Sequence, residues 1–247
     1  MKTLCKQILG LIALLVYLPV CAETIVLVHG GWSGGWVMKP LADEISKQEH
    51  QVYRPSLTGL GARTHLSSTD IRLETHIQDI VNLILYEDLH DVVLVGHSYG
   101  GMVISGVSDS IPERIARRIY IEGMVPSNGE SMLDIHSKAA KALASLTRNG
   151  FVYPPRYKEN TPPPKLMPQP LNTVTDKITL KHHNLSIPTQ YVLTVAPNTK
   201  PEDDDFFAQA KRAQEKGWAL INIPGGHNIQ REYPELLARI ILGDTAD

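Results

Sequence analysis

The sequence predicts a doubly wound α/β domain built on a mainly parallel sheet. Three observations point there. Short apolar, β-branched runs recur along the 247 residues, segments with helical spacing separate them, and glycine-rich turns follow the ends of several runs. The hydrophobic share of 43% and charged share of 20% suit a water-exposed globular domain with a sizeable core. The net charge of −2 and the lack of a basic stretch argue against a nucleic-acid partner.

The first segment stands apart. Lys2 and Lys6 precede an apolar run over 8–20, and small residues close it at Cys21-Ala22. A basic start, a short apolar stretch and a small-residue end predict a secretory signal peptide over 1–22, cleaved after Ala22. The run is too short for a good membrane span, and no membrane association is expected after cleavage. Both cysteines, Cys5 and Cys21, lie inside it, so the exported chain would hold no disulfide and no thiolate site. Periplasm or culture fluid would both suit such a chain.

The remainder, 23–247, reads as one domain with a core over 23–125 and 189–247 and a cap or lid insertion over 126–188. A buried strand is expected at 24–28, followed by His29-Gly30-Gly31-Trp32-Ser33-Gly34-Gly35-Trp36, a loop where backbone approaches something closely. A helix over 37–47 carries Leu41, Ala42 and Ile45 on one face, and a short strand follows at 51–55. Ile77, Ile80, Val81 and Ile84 predict a helix over 75–85. Residues 92–95 form the next strand, and a helix begins at Gly101. Pro112 opens a helical turn through Ile115, and 118–121 is a strand ending at Glu122-Gly123.

Within the insertion, 133–146 has helical composition. Residues 153–170 carry seven prolines, which exclude regular helix and central strand. The sheet resumes at 189–195. Asp203, Asp204 and Asp205 precede a helix over 206–216, where the helix dipole favours carboxylates. A last strand at 218–223 leads to Pro224-Gly225-Gly226-His227, and an amphipathic helix over 235–242 closes the domain.

The chemistry centres on Gly96-His97-Ser98-Tyr99-Gly100, a G-x-S-x-G motif between a predicted strand and a predicted helix. Such an elbow lifts a serine hydroxyl above the sheet edge in a strained backbone, so its neighbours two residues away must lack side chains. A serine needs a base to become a nucleophile. Of ten histidines, His227 lies on a loop after the last strand, where the base of this arrangement belongs. His97 is expected to pack or hydrogen-bond nearby, His29 to shape the glycine loop, and His182-His183 to be a solvated pair.

The acid that orients the base has two candidate sources. One is Glu122, at the end of the strand after the elbow helix. The other is the group Asp203, Asp204 and Asp205, late in the loop after 189–195. Glu122 is preferred, because the aspartates look suited to helix capping. Oxyanion donors are expected from the backbone N–H groups of Gly31 and Tyr99. Trp32 and Trp36 are candidates for the substrate pocket. The glycine loop lacks phosphate-cradling spacing, and no metal or organic cofactor is required.

With these residues in place, the chain resembles the α/β-hydrolase superfamily. More narrowly, it is similar to bacterial carboxylesterases related to plant methylesterases, hydroxynitrile lyases and pyrethroid-hydrolysing esterases. The matching stretches are Val28-His29-Gly30-Gly31-Trp32, Leu57-Thr58-Gly59-Leu60-Gly61, Asp91 through Gly101, and Gly225-Gly226-His227. The resemblance implies an α/β-hydrolase fold, with Ser98 as nucleophile, His227 as base, and Gly31 and Tyr99 as oxyanion donors. It also implies hydrolysis of a small ester, apolar or aromatic. Many relatives carry aspartate where Glu122 stands. The lyases carry threonine at the position of Gly30 and lysine at that of Asn228, so cyanohydrin cleavage is not expected. Alternatives within the fold are other lyase or C–C hydrolase chemistry, or a non-catalytic ligand sensor.

Overall fold

The structure, a computed structural model, describes residues 22–182 and 185–243. The expected signal peptide, with both cysteines, and His183 lie outside the described residues apart from Ala22. The strands are β1 (Thr24–Val28), β2 (Gln51–Tyr53), β3 (Val92–His97), β4 (Ile115–Ile121), β5 (Thr147–Arg148), β6 (Phe151–Val152), β7 (Gln169–Pro170), β8 (Thr189–Val195) and β9 (Ala219–Pro224). The α-helices are α1 (Lys39–Ser46), α2 (Leu73–Tyr86), α3 (Gly100–Ser110), α4 (Met132–Ile135), α5 (Ser137–Leu146), α6 (Asn172–Thr175), α7 (Phe207–Glu215), α8 (Ile229–Glu232) and α9 (Pro234–Leu242).

Six strands form one parallel sheet in the order β2-β1-β3-β4-β8-β9. Its central strands β1 and β3 read as continuous apolar runs because both faces are covered. Alternation along each strand divides the core in two. Val26, Val28, Leu94, Tyr120, Tyr191 and Leu193 point toward α2, α3 and α7. Ile25, Leu27, Val93, Val95, Ile119, Ile121 and Val192 point toward α1 and α9. The chain runs from β1 outward to β2 and then returns to β3 on the other side of β1. The carboxyl ends of β1 and β3 therefore flank the topological switch point, where open α/β sheets bind ligands.

Several sequence expectations need correction. The helix expected over 37–47 begins as a 3-10 turn at Gly35–Met38, and α1 starts at Lys39, one residue before Pro40. The helical turn at Pro112 ends at Arg114, and β4 begins at Ile115 rather than Arg118. The helix expected over 133–146 is interrupted at His136, whose extended backbone (φ −128°, ψ 88°) separates α4 from α5. His136 Nδ1 accepts the Ala139 N–H at 3.2 Å and so caps the second piece. The proline-rich stretch ends in β7, the edge of a small antiparallel sheet β5-β6-β7 that the sequence did not suggest. Pro170 is tolerated there because an edge strand leaves one row of backbone groups unpaired.

Candidate active site

The elbow follows from what the backbone must do between β3 and α3. Ser98 adopts φ +53°, a left-handed conformation that an L-residue sustains only when neighbouring contacts enforce it. Its N–H donates to Ile121 O at 3.1 Å, and its carbonyl accepts from Gly101 N and Met124 N, each at 3.0 Å. The two flanking glycines are obligatory on contact grounds. A β-carbon at Gly96 would lie 2.8 Å from Gly100 O, and one at Gly100 would lie 2.6 Å from Val28 O. The serine thus sits at the mouth of the switch point with its hydroxyl facing a cavity of about 600 Å³.

Glu122 caps β4 with φ +43° and is fully buried. Its Oε1 accepts the Thr194 N–H at 2.9 Å and also the Thr194 hydroxyl. Its Oε2 lies 2.7 Å from His227 Nδ1. The carboxylate is therefore aimed from β4, across β8, at the loop after β9. The imidazole of His227 packs against two rings. Phe206 stacks on it at 4.6 Å and 13°, and His97 tilts against it at 4.7 Å and 39°.

His97 also tethers the base loop through the backbone. Its Nε2 donates to His227 O at 2.7 Å, which fixes the proton on that nitrogen. Burial, and then the proximity of His227, push the His97 pKa down to about 3. A neutral neighbour spares His227 a competing positive charge when it takes up a proton. Ser98 and His227 line the same cavity, and no hydrogen bond joins Ser98 Oγ to the imidazole here. Such bonds are often long without substrate and tighten in the complex.

Opposite the elbow, the loop after β1 supplies the second wall. A β-carbon built at Gly30 would lie 3.0 Å from Ser98 Cβ, and one at Gly31 would lie 3.8 Å from Tyr99 Cβ. Gly30 and Gly31 thus lie close to Ser98 and Tyr99, and the N–H groups of Gly31 and Tyr99 are not claimed by an acceptor among the described residues. The Trp32 N–H is unavailable, because it donates to Gln169 Oε1 at 2.9 Å. The Tyr99 side chain runs inward, where its hydroxyl meets His76 Nδ1 at 2.9 Å. His29 holds the loops together: Nδ1 pairs with Gly30 O at 2.8 Å, and Nε2 accepts the Leu57 N–H at 3.1 Å. Burial lowers the pKa of both His29 and His76 to about 4, so each is a neutral structural group.

The segment between β4 and β8 is laced to this loop through Trp32, itself at φ +60°. Its indole N–H donates to Val152 O at 2.9 Å, and its carbonyl accepts the Met167 N–H at 2.7 Å. Gln169, buried on β7, completes the lacing, with its Nε2 donating to Thr173 Oγ1 at 2.8 Å. Trp32 and Trp36 line the cavity beside Met132, Leu166 and Val174. Sequence reasoning missed Gln169 and Phe206, whereas His97 packs and hydrogen-bonds nearby as expected. Only the aromatic character of Phe206, close after the aspartate run, offered a signal.

The three aspartates are engaged elsewhere. Asp203 Oδ2 accepts the Lys200 N–H at 3.0 Å, Asp204 Oδ1 accepts the Phe206 N–H at 2.7 Å, and Asp205 pairs with Lys138. Partial burial raises the pKa of Asp204. His182 is exposed, as expected of a solvated group, but it also has a partner. Its backbone N–H donates to buried Asp109 at 2.8 Å and its Nδ1 lies 3.1 Å from the same carboxylate. Among the described residues no group of His, Cys, Asp or Glu is arranged to hold a metal ion.

A parallel sheet whose switch point carries a serine on a strained elbow, faced by a histidine–glutamate pair, is the architecture of an α/β-hydrolase. The chain belongs to the alpha/beta hydrolase family, whose model matches residues 25–240. It is 35% identical over 233 residues to a carbendazim hydrolyzing esterase of Nocardioides sp. (strain SG-4G), covering 86% of this chain and 96% of that one. Among solved structures it is similar to an extracellular α/β-hydrolase of a Paenibacillus species. That protein is described as sharing structural and functional homology with tobacco salicylic acid binding protein 2. The TM-score is 0.77 at 25% identity, over 91% of this chain and 100% of that one. A pyrethroid hydrolase of Sphingobium faniae JZ-2 shares the fold, with a TM-score of 0.68 at 20% identity over 90% and 96% of the two chains.

Proposed function

We propose that the protein is a serine esterase that hydrolyses carboxylic esters through an acyl-enzyme. The observation that carries the reading is the 2.7 Å contact from His227 Nδ1 to buried Glu122, beside a cavity that His227 shares with Ser98. Similarity to esterases supports ester cleavage as the reaction.

In the first step Ser98 Oγ attacks the ester carbonyl while His227 Nε2 takes the hydroxyl proton. Glu122 keeps the Nδ1 proton in place and balances the imidazolium charge. The carbonyl oxygen becomes an oxyanion facing the Gly31 and Tyr99 N–H groups. Collapse of the intermediate breaks the ester C–O bond, and His227 returns the proton to the departing alcohol. A water then attacks the acyl-serine with His227 again as base, releasing the acid and restoring Ser98. Trp32 and Trp36 give the cavity an apolar wall, consistent with small apolar or aromatic acyl groups. We further propose export from the cell, on the strength of the basic and apolar N-terminal pattern.

The test compares wild type with Ser98→Ala on short acyl esters under identical conditions. The reading expects turnover confined to the wild type. Equal turnover in both proteins would remove Ser98 from the mechanism.

A further inference from the structure

The chain contains more acidic than basic residues, 26 against 24, yet the Lys, Arg, Asp and Glu side chains that line the catalytic cavity are all basic. Arg156 and Arg231 line it, and no aspartate or glutamate does. An adjoining cavity of about 390 Å³ shares Trp36, Arg156 and Arg231 with it, and adds Lys158 and Lys165. This second space also has no carboxylate in its lining.

Five arginines elsewhere pair with a carboxylate: Arg63 with Asp79, Arg72 with Asp176, Arg114 with Asp88, Arg117 with Glu23 and Arg212 with Glu130. Among the described residues none of the four cations at the mouth has a carboxylate partner. Two of them, Arg231 and Lys165, stand over aromatic rings instead. The Arg231 guanidinium stands 5.7 Å from the centre of the Trp36 ring, and the Lys165 ammonium 5.9 Å from that of Tyr157. Ordinary surface charge alternates in sign. Here the negative members are missing from two connected concave walls, and concave walls of one sign concentrate ligands of the other.

We propose that the catalytic cavity selects esters that carry a second, anionic group: half-esters of dicarboxylic acids, whose free carboxylate is held by Arg156 and Arg231 while the ester carbonyl reaches Ser98. The inference rests on the esterase reading and names its substrate class. A guanidinium fork matches the two oxygens of a carboxylate, which makes arginine the suitable residue at the mouth. The Trp36 face beside Arg231 accommodates the apolar spacer between the two ends of the molecule. Hydrolysis converts the half-ester to a dicarboxylate, so the product keeps its affinity for the same cations and inhibits turnover at low salt.

The experiment uses the full chain and two esters of equal length, monomethyl adipate and methyl hexanoate, followed by methanol release. The expected ratio of kcat/KM favours the half-ester by about tenfold or more at low ionic strength, and it shrinks as added salt screens the charges. In the double variant Arg156→Ala/Arg231→Ala the ratio falls toward one, through KM of the half-ester. A wild-type ratio at or below one, or a ratio unchanged in the double variant, overturns the proposal. Calorimetric titration of adipate into Ser98→Ala reads the anion site without turnover. Binding that weakens at least tenfold when both arginines are removed supports the proposal, and no binding overturns it. Failure to hydrolyse either ester, with adipate binding intact, would strike the esterase reading instead.

Discussion

Replacing Glu122 by glutamine preserves shape almost completely and removes one charge, so its consequence can be worked out bond by bond. Oε1 accepts two donors from Thr194, and Oε2 faces His227 Nδ1 at 2.7 Å. Glutamine offers one acceptor oxygen and one donor amide. If the oxygen stays on Thr194, the amide donates toward Nδ1, which must then give up its proton. The imidazole is left with its proton on Nε2, facing Ser98, and cannot act as base. If the amide turns over, it confronts the Thr194 N–H and leaves buried donors unmatched, at about 1–3 kcal/mol.

Either way, the negative charge beside the developing imidazolium is lost. Neutralising the corresponding carboxylate in a serine protease lowers kcat by about 10⁴, which sets the scale expected for Glu122→Gln. Esterolysis with a thermal melt on the same samples separates lost chemistry from lost fold. Asp203→Asn, by contrast, removes a charge from an exposed loop contact to the Lys200 N–H, which the asparagine oxygen can still accept, and should leave turnover within a few-fold of wild type. Activity of Glu122→Gln within tenfold of wild type, or a large loss in Asp203→Asn, would refute the assignment of the acid.

Gln169→Leu removes the acceptor of the Trp32 N–H and frees the peptide beside Gly31, so kcat should fall about tenfold with little change in KM, read by steady-state kinetics beside a melting curve. Gly100→Ala forces a methyl to within 2.6 Å of Val28 O and should yield protein that melts far lower or fails to fold, as followed by circular dichroism. His29, His76 and His97 are buried neutral, with pKa values near 4, 4 and 3 against 6.5 for the exposed group. The unfolded chain therefore binds three more protons than the native one as pH falls from 6.5 toward 4. Stability should drop by about 2 kcal/mol per histidine between pH 7 and 5, and level off below the native values. Urea midpoints across that range check the sign; a midpoint that rises on acidification contradicts it.

The legible parts of this protein are those where the local backbone leaves few options. Ser98 at φ +53° between Gly96 and Gly100 is a demand of three adjacent residues, so five letters of sequence expose it. The glycines after β1 and before His227 likewise mark where loops crowd the sheet edge. The sheet itself was readable because each strand buried on both faces is a continuous apolar run.

Other features depend on residues far apart in the chain. Two strand ends could have supplied the acid, and only the register of β4 against β8, which sets Glu122 beside Thr194, brings one carboxylate to His227. Phe206 and His97 both pack against the base although 109 positions separate them. Gln169 lies in a proline-rich stretch without periodicity, where no pattern distinguishes a residue holding the oxyanion loop from a surface polar group. The break at His136 is similar: alanine-rich composition favours one helix, and a side-chain cap makes two.

The central claim is that Ser98 is the nucleophile of an ester hydrolase, and titration with a fluorophosphonate tests it most directly. The account predicts that one equivalent is incorporated, that peptide mapping locates it on Ser98, and that ester turnover disappears in proportion to labelling. Label on another residue, or full turnover surviving stoichiometric modification of Ser98, would contradict it.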